Sequence, residues 1–238
     1  MLLDSFETRE KILQEFLKIC PFDGWSKTAL LKAFSKAGIE EKFSDLIFEN
    51  GLIDLAEFYI EYQNQKALEK ISEIPNFHNE KIRLKIRQAL YARFEVEKNN
   101  QITLQRLINF YINLKNFSSF EIGARPMING LKSGYLVADS IWKSINDQST
   151  DFNFYTKRLT LSKIILRSLL VFVKDESHDF IKTKNFIDAQ IEKVMKFEKR
   201  KHQFKKAFEQ VFLNEEGAIK TPKEFVKDLP FFRLIKFK

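Results

Sequence analysis

Residues 146–158 read NDQSTDFNFYTKR, and residues 159–173 continue as LTLSKIILRSLLVFV. A polar run that carries Phe152, Phe154 and Tyr155 thus leads straight into a long apolar stretch. Ser149, Thr150 and Asp151 make a helix start, because each offers an oxygen to the N–H groups that a first helical turn leaves free. The helix that follows, Asp151–Lys174, is apolar on two stripes at helical spacing. Phe152, Tyr155, Leu159, Leu166, Leu170 and Val173 form one, and Phe154, Leu161, Ile165 and Phe172 the other. A helix that is apolar nearly all round is central to its fold. It is either plain core or core on one side and the wall of an apolar cavity on the other.

Outward from this helix the same 3.6-residue period recurs and no strand pattern does. The spacing predicts helices over Ser5–Cys20, Ser26–Ala37, Glu40–Phe48, Leu52–Ile74, Lys81–Glu97, Gln101–Asn116, Arg125–Ile145, Phe180–Phe197 and Glu198–Leu213. Pro21-Phe22-Asp23-Gly24 and Asn50-Gly51 read as breaks between them. Only 7 Gly and 5 Pro in 238 residues fit long helices with few tight turns. The chain divides into residues 1–74, 75–197 and 198–238.

Composition removes several functional classes. A single cysteine, Cys20 in FLKICP, allows no disulfide framework and reads as a small core residue. The start, MLLDSFETREKIL, resembles neither a signal peptide nor an Arg-rich transit peptide. The longest apolar run is interrupted by Lys163 and Arg167, which argues against a bilayer span. Net charge is +8, yet residues 1–73 hold 14 acidic against 9 basic side chains. The three histidines, His78, His178 and His202, lie in unrelated segments without a Glu-x-x-His pair, so no bundle-type di-iron site is expected. No phosphate loop or nucleophile arrangement stands out either. The expectation is no catalytic residue and no metal.

The first three helices have helix-turn-helix spacing, and REKILQEFLKICPFDGWSKTALLKAFSKAGIEEKFSDLIFENG resembles the N-terminal module of tetracycline-repressor-type regulators. DNA binding draws most of its affinity from cations set against phosphate. The would-be recognition segment IEEKFSDLIFEN opposes Glu40, Glu41, Asp45 and Glu49 to Lys42 alone, and holds no Arg for a guanine contact. Its Phe43, Leu46, Ile47 and Phe48 read as buried. This is a helix-turn-helix shape without DNA chemistry, and no nucleic-acid partner is expected.

A second resemblance is more specific. IWKSINDQSTDFNFYTKRLTLSKI, then KDES, then FIDAQIEKVMKFEK closely resemble the accessory lipid-binding proteins of ubiquinone (coenzyme Q) biosynthesis, the family of the ninth coenzyme Q protein; PFDGWSKTAL looks like that family's Gly-Trp entry. The resemblance implies an all-α, repressor-like fold, commonly dimeric. It implies binding of an isoprenoid lipid or quinone intermediate with no other cofactor, and presentation of that lipid to a di-iron demethoxyubiquinone hydroxylase. On this reading Phe152, Phe154, Tyr155, Leu159, Leu166 and Leu170 are the lipid-binding candidates. Asp139 and Trp142, three apart on one helix face, match a surface patch that docks the hydroxylase. Phe154 stands where the family usually has Trp, which keeps an aromatic wall but drops an N–H donor. Lys143 stands where animal members commonly place an aromatic.

From Met195 onward 12 Lys/Arg face 6 Asp/Glu, and Phe204, Phe208, Val211 and Phe212 share helical spacing with Lys205 beside them. That is the pattern of a basic amphipathic helix on an anionic membrane, so Phe204, Lys205, Phe208 and Phe212 are the membrane candidates. The reading is a peripheral protein on a bacterial inner membrane, or on the matrix side of a mitochondrial one. The alternative is a repressor-type regulator with a lipophilic effector.

Overall fold

The computed structural model describes residues 5–112 and 120–198. The membrane candidates Phe204, Lys205, Phe208 and Phe212, with the basic segment that carries them, lie outside the described residues. Nine α-helices and no strand occur among the described residues: α1 (Phe6–Asp23), α2 (Lys27–Lys36), α3 (Ser44–Ile47), α4 (Leu52–Ser72), α5 (Ile82–Glu95), α6 (Gln101–Ile112), α7 (Phe120–Ser144), α8 (Asp151–Phe172) and α9 (Ile181–Glu198). The all-α expectation holds.

Several boundaries differ from the sequence reading; α7 begins at Phe120 rather than Arg125, and two other differences have a local cause. Pro21 lies inside α1 rather than ending it, and the helix closes one turn later, where Gly24 adopts a positive φ and donates its N–H to the Cys20 carbonyl at 2.9 Å. In the last turn a proline forfeits only one backbone bond, so the helix carries it through. The stretch Glu40–Phe48 is not one helix. It is a 3-10 turn, Glu41–Phe43, joined to the single α-turn of α3.

Helix α1 packs on α2 and α6, and α4 packs on α1, α5 and α7. A buried cluster runs without interruption from Ile12 in α1 to Ile191 in α9. Its aromatic centre at the N-terminal end is Trp25, edge-on to Phe16 at 4.8 Å and to Tyr59 at 5.9 Å, with its indole N–H donated to the Leu52 carbonyl. Between α4 and α5 the buried Glu97 accepts bonds from the Tyr59 hydroxyl, from Gln63 Nε2 at 2.9 Å and from Arg93 Nη1 at 2.6 Å, so its charge is paired inside the protein.

In the body, α8 lies between α7 and α9. Gly134 lets α7 and α8 approach: a Cβ there would stand 3.0 Å from Leu166 Cγ and 3.1 Å from Ser162 Oγ. Gly130 similarly meets the Tyr111 ring, at 3.3 Å. The close crossing fixes the rotation of α8. Leu161, Ile165 and Phe172 turn into the core, while Phe152, Tyr155 and Leu170 turn outward.

Gly134→Val overpacks this crossing and is expected to cost about 2 kcal/mol of unfolding free energy, measured by urea titration. Adding Leu166→Ala restores part of the loss, because the two side chains compete for one space.

Candidate functional site

The sequence candidates gather where α7 ends and α8 begins, and the chain turns there in a defined way. Asn146 takes a left-handed backbone, φ 59, which a short polar side chain tolerates better than most. The Asn146 N–H bonds the Lys143 carbonyl at 3.0 Å, and the Asp147 N–H bonds the Trp142 carbonyl at 3.1 Å. These two bonds satisfy carbonyls that the end of α7 would otherwise leave open, in the manner of a Schellman cap.

The turn is then clasped by a buried cation. Arg158, only 2% exposed, donates from Nε to Asp139 Oδ1 at 2.5 Å, and from Nη1 to Asp147 Oδ2 at 3.3 Å and to the Phe154 carbonyl at 3.1 Å. Its guanidinium lies 3.4 Å from the centre of the Phe154 ring. Lys157 reaches Asp147 Oδ1 at 2.7 Å, and its ammonium stands 5.0 Å over the Trp142 ring. Ser149 donates its hydroxyl to Asp147. Lys143 takes the second oxygen of Asp139 at 2.7 Å. Burial works against ionisation of Asp139 and of Asp147, but these bonds and charges outweigh it and hold both carboxyls below the usual carboxylate range.

The helix start therefore works differently from the reading of its sequence. Thr150 occupies the N-cap position with an extended backbone, but its side chain makes no cap bond. Ser149 is turned to Asp147. The polar string serves the clasp more than the helix N-terminus.

The predicted partner pair separates. Trp142 is 7% exposed, and its buried indole N–H meets no acceptor among the described residues. Asp139 is half-buried and engaged by Arg158 and Lys143. The exposed group at this corner is Lys143 itself. The lipid-binding candidates separate too. Phe152 is 37%, Tyr155 43% and Leu170 52% exposed, while Phe154, Leu159 and Leu166 are half-buried. Two clefts among the described residues lie elsewhere. One of about 480 Å³ is bordered by Lys66, Lys70 and Lys98 with Glu69, Glu73 and Glu95; another of about 360 Å³ lies along Ser35–Glu41.

The far end of α8 carries a second carboxylate node, for which KDES was the signal. Asp175, buried, accepts from the Ser177 N–H at 2.9 Å, the Ser177 hydroxyl, the Thr183 N–H at 2.7 Å and the Thr183 hydroxyl at 2.6 Å. Burial opposes the charge, but the bonds from Ser177 and Thr183 prevail and bring the carboxyl down to about 2. Gln101 of α6 ties the junction in, donating to the carbonyls of Phe172 at 2.7 Å and Asp175 at 2.9 Å. Periodicity gave no hint of Gln101 or of Arg158 as organisers, because each acts through partners distant in sequence.

At the helix-turn-helix position, Glu40, Glu41, Asp45 and Glu49 are exposed and the Lys42 ammonium is held by Glu40 at 2.6 Å. Ile47 and Phe48 are buried, but Leu46 is exposed, against expectation, because the single turn of α3 has room for only one inward side.

The COQ9 family model matches residues 127–198, the span of both carboxylate nodes. A probable mitochondrial ubiquinone biosynthesis protein, Coq9, of Dictyostelium discoideum is 25% identical over 195 residues, covering 80% of this chain and 60% of that protein. The mitochondrial ubiquinone biosynthesis proteins COQ9 of Bos taurus and Homo sapiens are each 24% identical, covering 92% of this chain and 69% of theirs. The chain thus spans roughly two thirds of the length of these relatives. The family resemblance read from the NDQSTDFNFYTKR region is borne out.

Arg158→Met takes from Asp139 and Asp147 the partner they share and is expected to cost about 3 kcal/mol of stability, read by chemical denaturation. Asp175→Ala strands donors of Ser177 and Thr183 and should cost about 2 kcal/mol. Because the Asp175 pKa is lowered on folding, its contribution is present above the unfolded value of about 3.8 and is lost as pH falls toward 2. The melting temperature of the Ala variant therefore converges on that of the parent chain over this acidic window.

Proposed function

We propose that this chain is a non-catalytic accessory protein of ubiquinone biosynthesis, which binds an isoprenoid quinone intermediate at a membrane and presents it to the di-iron demethoxyubiquinone hydroxylase. The coarser part, a role in ubiquinone biosynthesis, is what its relatives imply. The observation that carries the reading is the coincidence of the family match with the clasped corner and with α8, a helix that keeps apolar side chains on both its inner and outer stripes. The relatives are named mitochondrial, and no helix among the described residues is long and apolar enough to cross a membrane. The reading adopted is a peripheral protein whose lipid substrate is brought to the enzyme rather than transformed.

Lipid binding is tested by mass spectrometry of organic extracts from the purified chain. A prenylated quinone or its precursor is the expected component, and extracts free of isoprenoids from protein made in a quinone-producing host count against binding. For presentation, Lys143 is the side chain to change, since it is exposed and its removal spares the Trp142 core. Lys143→Glu is expected to weaken capture of the purified hydroxylase about tenfold. Unchanged capture removes the Asp139–Lys143 corner as the docking site.

A further inference from the structure

The two tryptophans of the chain are held in different ways. Trp25 donates its indole N–H to the Leu52 carbonyl at 3.2 Å. Trp142 is equally buried, but its Nε1 meets no acceptor among the described residues. A buried donor without an acceptor has given up its water and received nothing in exchange. Native proteins keep few such groups, and one that sits just beneath the surface is open to satisfaction from outside.

Over the Trp142 ring lies a cation that itself reaches water. The Lys157 ammonium stands 5.0 Å from the ring centre and bonds Asp147 Oδ1 at 2.7 Å, on a side chain 33% exposed. The clasp does not depend on it. Arg158 and Ser149 hold the other oxygen of Asp147, so when Lys157 leaves only Oδ1 is freed, and water replaces the lost bond. A partly exposed ion pair and a partly exposed cation–π contact are each weak, which favours the covered arrangement by only about tenfold over an open one. The rest of the corner faces outward with basic and apolar groups. Leu136 and Lys143, two turns apart on one line of α7, are exposed, while Asp139 and Asp147 are drawn to Arg158.

We propose that Lys157 is a lid over Trp142, and that docking at this corner proceeds by moving the lid aside and engaging the uncovered indole. The occupant is a protein surface of stated chemistry: apolar where it meets the Trp142 ring and Leu136, with a carbonyl or carboxylate oxygen to accept the indole N–H. Acidic side chains at its rim suit Lys143 and the displaced Lys157. This rests on the reading above, in which the partner at the corner is the hydroxylase, and it adds that a side chain must move before the two can lock. A tryptophan kept under a cation leaves no adhesive patch on the free protein and becomes an anchor once uncovered. The apparent affinity is then lowered by the fraction of molecules that are open.

The lid is tested first in the full chain alone, by hydrogen exchange of the two indole N–H groups in NMR spectra of isotope-labelled protein. The Trp142 proton is expected to exchange about tenfold faster than the bonded proton of Trp25, and Lys157→Ala to speed it further while Trp25 is unchanged. A Trp142 proton that exchanges no faster than that of Trp25 overturns the proposal, and this arm needs no variant to fold. Docking is tested with the purified hydroxylase. Lys157→Ala removes the need to open and is expected to tighten capture about tenfold. Trp142→Phe keeps an aromatic ring but drops the donor, and is expected to weaken capture about tenfold, with helical content by circular dichroism unchanged. If Lys143→Glu weakens capture while Lys157→Ala leaves it unchanged or weaker, the corner stands as the docking site and the lid is overturned. If the parent chain captures no hydroxylase, the reading above falls and the partner named here falls with it.

Discussion

A single buried guanidinium organises the corner on which the body of the protein turns. A charge held away from water must be paired and fully bonded or the fold loses several kcal/mol. Its partners come from three places: Asp139 on α7, Asp147 in the turn, and the Phe154 carbonyl one turn back on α8. Meeting all of them fixes where α7 stops, how the turn runs and where α8 starts. Several residues of the string then have a task. Asn146 supplies the left-handed bend, Asp147 the acceptor, Ser149 and Lys157 its remaining bonds, and Phe154 the ring beneath the guanidinium. A motif so long needs no reactive group to explain it.

The other end of α8 is held by an acid. Asp175 gathers four donors from Ser177 and Thr183, and this makes an expensive backbone tolerable. Asp179 and Phe180 both take positive φ, 52 and 53, a conformation that is uncommon for Asp and a true outlier for Phe. Strain of this kind persists only where the surroundings over-determine it. Here the Phe180 ring packs on Phe172 at 4.9 Å, and the next turn is pinned to Asp175 through Thr183.

Much of the architecture was legible because helical periodicity is a property of neighbouring residues. The spans of α4, α8 and α9 were read to within a few residues. What escaped depends on contacts across the chain. Both stripes of α8 are apolar, so composition could not say which turns inward; the fit of Leu166 and Ser162 against Gly134 decides it. Trp142 and Asp139 share a helix face, yet one is covered by Lys157 and the other drawn to Arg158, partners that lie beyond the turn. The cap at Thr150 failed for a similar reason, since local rules assign Ser149 to the helix while the stronger pull is the carboxylate of Asp147.

A helix pinned at both ends and seated on a glycine cannot rotate to hide a second apolar stripe. Rotation far enough to bury Tyr155 and Leu170 would carry Leu161, Ile165 and Phe172 out of the core, each worth about 1.5–3 kcal/mol when buried, and would tear Arg158 from two carboxylates. The fold therefore accepts the exposure of Phe152, Tyr155 and Leu170 as a consequence of how α8 is anchored. Such a surface lowers its free energy by meeting something else apolar. The anchoring that gives the protein its shape is thus also what keeps this face turned outward and its chemistry unspent.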